Sequence, residues 1–161
     1  MNILLLGILH TDMYAENAME INEEGLALLK KSEACRLTSY QDKGGIWTIG
    51  WGSTGSDIHY GLTWTQEQCD DRLKHDLLAF EDGINDHLKV TLTSNQFSAL
   101  VVFTYNVGLG ALYTSHLFKF INESNFTTAA EQFGRWNMVH GIVDKGLIQR
   151  RAAERDLFLK A

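Results

Sequence analysis

The sequence predicts an α+β fold: a small N-terminal lobe carrying a β-sheet, joined by a long helix to a helical C-terminal lobe, with a cleft between the two. Three observations predict it. Between Leu37 and Ile58, β-branched and aromatic residues alternate with glycines at Gly44, Gly45, Gly50, Gly52 and Gly55, the punctuation of a small antiparallel sheet. After Gly61 the apolar period changes from strand-like to helical, which marks the connecting helix. From Thr93 to Gly108 runs a strongly apolar helical segment, suited to the centre of a helical lobe.

Each element follows from local pattern. Ile21 to Ala34 carries Leu26 and Leu29 in helical rhythm, with Glu23 and Glu24 in the first turn, where negative charge favours the helix dipole. Glu33 falls near the C-terminal end of this helix. The sheet follows, its strand IWTIGWG holding Thr48. Thr63 with Gln66 fits a capping box, and Cys69, Leu73, Leu77, Leu78 and Phe80 line one face of the long helix behind it. A second capping box, Thr93 with Gln96, opens the apolar helix, and Asn106 and Gly108 stop it. Shorter helices are expected over about 115–121, 127–136 and 147–159. Trp136 and Trp64 are expected in the core, Trp47 and Trp51 as planes able to stack on sugars.

Composition narrows the classes of function. The chain has 161 residues, 45% hydrophobic and 11% aromatic, enough for a real core, and no proline, repeat or low-complexity tract divides it. Residues 1–19 are assigned to an N-terminal extension and 20–161 to one domain. A net charge of -6 gives no reason to expect nucleic acid as partner. The stretch from Arg135 to Lys160 is locally basic and is expected to face an anionic polymer. Cys35 and Cys69 lack ligand spacing, and the six histidines lie scattered with no HExxH pair, so no metal site and no cofactor are expected. The two cysteines are expected as free, half-buried thiols, and a single disulfide between them remains open for a protein working in an oxidising compartment. The apolar run Ile3 to Leu9 is too short to span a bilayer and has no basic start, so export by its own signal is not expected.

Hydrolysis of a glycosidic bond needs one protonated carboxyl to donate to the leaving oxygen and a second group to activate water. Glu33 at a helix end, Asp42 in the loop entering the sheet and Thr48 on the strand can turn toward one groove, although acidic residues in such places more often serve capping and solvation. The segment KSEACRLTSYQDKGGIWTIGWGSTG resembles the signature of the T-even phage lysozyme family, glycoside hydrolase family 24. There a Glu, eight residues, an Asp, five residues and a Thr form the catalytic trio, and the match falls on Glu33, Asp42 and Thr48. TSNQFSALVVFTYNVG and GLIQRRAAERDLF resemble two further blocks of the family.

The resemblance implies a lysozyme-like fold and an endolysin that cuts between N-acetylmuramic acid and N-acetylglucosamine with inversion. Glu33 would be the general acid, with Asp42 and Thr48 holding the attacking water. The acid must keep its proton through partial burial or a low-dielectric wall, and the two carboxyls should stand on the order of 6.5–9.5 Å apart. Gly52, Ser53, Asn106, Arg150 and Arg151 are candidates for substrate binding, and either Arg150 or Arg151 should approach Glu33. Peptidoglycan is the expected partner of a monomer, held in the host cytoplasm until release to the wall; a membrane-anchored export form is the alternative. The sequence departs from the family at Ala34, Cys35 and Ser53; many members carry histidine at the last, so a salt bridge made by that histidine is in doubt here. Two other readings compete: a lytic transglycosylase, which needs the acid but not Asp42 and Thr48, and a non-enzymatic protein whose basic C-terminal helix binds the wall or disrupts membranes.

Overall fold

The computed structural model describes residues 18–42 and 44–160; the Ile3 to Leu9 run and most of the assigned extension lie outside the described residues. Helix α1 (Glu23–Ser32) starts at Asn22, whose side chain accepts from the Gly25 amide. Glu23 and Glu24 in its first turn and Lys30 and Lys31 in its last match the helix dipole. The helix is shorter at both ends than the apolar rhythm predicts, because Asn22 caps one end and Glu33 turns extended at the other.

Helix α1 packs closely on the apolar helix. A Cβ built on Gly25 would lie 2.6 Å from Ser98 Cβ and 2.8 Å from Ile21 Cγ1, so glycine is what permits this approach. Gly25→Ala is therefore expected to destabilise the fold by about 1–3 kcal/mol, although alanine is the better helix former by about 1 kcal/mol. Urea unfolding that shows the variant equal to or more stable than wild type would refute the close approach.

The sheet has order β1-β2-β3, with β1 (Arg36–Gln41), β2 (Trp47–Gly50) and β3 (Ser53–Thr54) antiparallel. Tyr40 pairs with Thr48, and Thr48 with Thr54, so Thr48 sits mid-sheet and buried. Helix α2 (Gln66–His87) begins two residues later than its sequence signature suggests: the capping box is Thr65 with Gln68, not Thr63 with Gln66. Thr63 instead bridges Thr38, and the Trp64 amide donates to Leu37 O at 2.8 Å, so sheet pairing holds these residues out of the helix. Leu78 also departs from expectation, facing solvent at 53% exposure. Trp64 is half-buried under the Arg72 guanidinium, 5.8 Å from its ring centre, rather than in the core.

Helix α3 (Ser94–Val107) has the expected Thr93–Gln96 capping box and ends at Gly108, φ 87°. Every residue from Phe97 to Thr104 is buried, which makes α3 the axis of the helical lobe. Around it lie α4 (Leu109–Thr114), α5 (His116–Asn122), α6 (Phe126–Gln132) with a 3-10 turn to Arg135, and α7 (Lys145–Leu159). Trp136 stacks edge-on against Phe103, ring centres 5.4 Å apart. Two elements are unforeseen: α4, and a hairpin of β4 (Met138–Val139) and β5 (Ile142–Val143). The hairpin turns at His140 and Gly141, both with positive φ, as tight two-residue turns require.

Candidate active site

Glu33 closes α1. Its amide donates to Leu29 O at 2.9 Å, the last bond of the helix, and its extended backbone (φ -108°, ψ 123°) turns the chain toward β1. The side chain is 24% exposed. Its neighbour on one side is cationic: Arg150 Nη1 donates to Glu33 Oε1 at 2.6 Å. On the other side is the turn after β2, where a Cβ at Gly52 would sit 3.8 Å from Glu33 Oε2 and 3.9 Å from the Tyr105 hydroxyl. With φ +98°, Gly52 holds a backbone conformation that most other residues would strain to adopt, and it leaves the carboxyl a space about one Cβ wide.

Of Arg150 and Arg151, it is Arg150 that meets Glu33. Its guanidinium is shared: Nε donates to Glu154 Oε1 at 3.1 Å and Nη2 to Val102 O at 3.3 Å. Arg151, 1% exposed, lies beneath. Its Nη2 donates to Asn106 Oδ1 at 2.8 Å and to Glu154 Oε1 at 3.0 Å, and its guanidinium carbon stands 4.9 Å from the centre of the Phe103 ring. Glu154 has no exposed surface, and burial pushes its carboxyl up to about 7 against the pull of Arg151 and Arg150. Arg150 and Arg151 thus turn inward and Lys160 pairs with Glu24 at 2.7 Å, whereas Arg135, Lys145 and Arg155 of the basic stretch stay exposed.

Asp42 sits exposed in the β1–β2 turn. Its Oδ1 accepts from the amides of Gly44 (2.8 Å) and Ile46 (2.9 Å), which fixes the carboxylate, and no hydrogen bond engages Oδ2 among the described residues. Thr48 Oγ1 donates to Ile46 O at 3.0 Å, leaving its lone pairs to accept. Neither residue bonds to Glu33 among the described residues. Ser53 is buried and donates to Asp76 Oδ2 at 2.6 Å. Asp76 also receives Arg72 Nε at 2.8 Å, so a hydroxyl here joins the sheet to α2 where many family members have a histidine. Asn106 is exposed, its carbonyl oxygen held by Arg151.

Two cavities are bordered by neighbours of Glu33. One, of about 340 Å³, is lined by Gly52, Ser53, Asp76, Phe80 and Tyr105 among others. The other, of about 420 Å³, lies between α1 and α7 and includes Arg150, Leu28, Lys31 and Leu147. Glu33 lines neither: its partner Arg150 borders the second, and Gly52, where a built Cβ would stand 3.8 Å from Glu33 Oε2, borders the first. Sequence reasoning does not single out Tyr105, Asp76 or Glu154. Tyr105 donates to Trp51 O at 3.0 Å, and burial, with Asp76 and Glu33 nearby, drives its phenol well above the ordinary range. The position before Asn106 in the apolar helix was the available signal, since a buried tyrosine hydroxyl needs a partner.

A sheet-bearing lobe and a helical lobe that meet at a half-buried glutamate define a lysozyme-like protein. The chain belongs to the phage lysozyme family, whose model matches residues 30–154. It is 44% identical over 144 residues to an endolysin of Bacillus phage PZA, covering 87% of this chain and 55% of that one. The chain thus spans about half the length of that relative. A SAR-endolysin of Bacteriophage PS119 is 39% identical over 127 residues, 79% of this chain and 76% of the relative. Among solved structures, the muramidase domain of SpmX from Asticaccaulis excentricus superposes with a TM-score of 0.84 at 35% identity, covering 89% of this chain and 99% of that one. A point mutant of P22 lysozyme gives 0.80 at 37%, covering 88% and 99%.

Proposed function

We propose that the chain is an endolysin that hydrolyses the β-1,4 bond between N-acetylmuramic acid and N-acetylglucosamine in peptidoglycan, with inversion. The observation that carries this reading is Glu33: a half-buried carboxyl bonded to Arg150 and beside Gly52, with a cavity bordered by each of those two neighbours. A glycan strand laid along that line brings its glycosidic oxygen to Glu33, which gives up its proton as the bond to C1 breaks. A water donating to Thr48 Oγ1 and Asp42 Oδ2 attacks C1 from the opposite face, and its proton passes to Asp42. For this the two carboxyls must admit a water between them, on the order of 6.5–9.5 Å apart.

Gly52, Asn106 and Arg150 are the residues we assign to contact with substrate, and Arg151, being buried, to holding Asn106 in place. Host lysis is the biological setting, with the protein held in the host cytoplasm until it reaches the wall. No helix among the described residues is long and apolar enough to cross a membrane.

Digestion of purified peptidoglycan followed by mass spectrometry and NMR tests the chemistry. Hydrolysis yields new reducing ends that appear first as the α anomer. Anhydro-muropeptides as the main product would instead make the chain a transglycosylase, and products appearing first as the β anomer would exclude single-step displacement by water.

A further inference from the structure

We infer that Cys35 and Cys69 form a thiol pair built to close into an intramolecular disulfide, with a low-molecular-weight disulfide as co-reactant, so that the start of β1 becomes covalently tied to α2. The two cysteines are 34 positions apart in sequence, yet the fold brings them together at the end of β2. A Cβ at Gly50 would touch Cys69 Cβ and Sγ at 3.4 Å, so Cys69 packs flat against the end of β2. Gly50 is the register partner of Arg36, the residue that follows Cys35. Bonds beside the pair hold the same junction: Asp70 Oδ1 accepts from Trp51 Nε1 at 2.7 Å and from Lys30 Nζ at 2.9 Å. The last turn of α1, the end of β2 and the first turns of α2 therefore converge where the two thiols lie.

Burial pushes the Cys69 thiol up to about 11, and the nearby Cys35 thiol adds to the rise. Cys69 has no exposed surface, whereas Cys35 is partly open to solvent. This asymmetry orders the chemistry. The Cys35 thiolate attacks one sulfur of the small disulfide and expels one thiol, leaving a mixed disulfide on Cys35. Cys69, which the reagent cannot reach, then loses its proton and attacks Cys35 Sγ, expelling the second thiol. Two protein thiols are oxidised and one small disulfide is reduced to two thiols.

The test is native protein incubated with oxidised glutathione. The expected result is loss of both titratable thiols in a monomer whose mass is lower by two hydrogens, reversed by dithiothreitol. Closing a loop of this length should raise the melting temperature by about 5–10 °C. Cys69→Ser should stop at a stable glutathione adduct on Cys35, and Cys35→Ser should not react. A persistent adduct on the wild-type chain, disulfide-linked dimers, no reaction below the unfolding temperature, or closure that lowers the melting temperature would each overturn the inference. None of these readouts depends on the catalytic reading of Glu33.

Discussion

Glu33→Gln is expected to slow peptidoglycan hydrolysis by about 10²–10⁴-fold, the range supplied by general acid catalysis, while leaving the melting temperature within a few degrees of wild type. Glutamine keeps the shape of the side chain and an oxygen that can accept from Arg150 Nη1, the 2.6 Å contact of the native site. Arg150 retains Glu154 and Val102 O in any case, so the junction of α1 with α7 stays intact. What the variant lacks is a proton to give to the departing sugar oxygen. The measurement is turbidity loss of outer-membrane-permeabilised cells alongside product release from purified wall. Undiminished lysis by a folded Glu33→Gln protein would remove the enzymatic reading and favour a protein that acts by binding or by disturbing membranes.

Much of this site is legible in the sequence because its parts are local. Glu33, Asp42 and Thr48 fall within one helix–hairpin unit, whose order is set by neighbours in the chain: Asn22 caps, Asp42 bonds the amides of its own turn, and Thr48 lies between Tyr40 and Thr54. The long apolar helix and its capping box are equally local. Non-local consequences are harder to read. Whether a threonine opens α2 depends on pairing between residues 62–64 and β1, and that pairing moves the helix start from Thr63 to Thr65. Adjacent arginines look alike in sequence, yet one meets Glu33 and the other is sealed below it, a difference decided by the angular spacing of α7 positions against α3. For the same reason Arg150 and Arg151 add little to the basic surface of α7, which Lys145 and Arg155 carry. Glu154, counted in sequence only as one charge among several, is the group that both arginines converge on.

That convergence carries the second large effect. Glu154→Ala is expected to destabilise the fold by about 3–5 kcal/mol near pH 5, since it opens a cavity and leaves the buried Arg151 without its principal acceptor. The cost should depend on pH in a particular direction. Glu154 has its folded carboxyl raised from 4.5 to about 7, so between those values the native state holds a proton that the unfolded chain has released. Stability of the wild type must then fall as pH rises through this window, by about 3 kcal/mol in all, and level off above pH 7. The alanine variant lacks this component, so the gap between the two proteins should narrow from pH 5 to pH 8. Urea titrations of both proteins across that range isolate the effect, because other groups titrate alike in each and cancel in the difference. A gap that instead widens toward pH 8 would mean that Arg150 and Arg151 hold Glu154 ionised, with their attraction outweighing its burial.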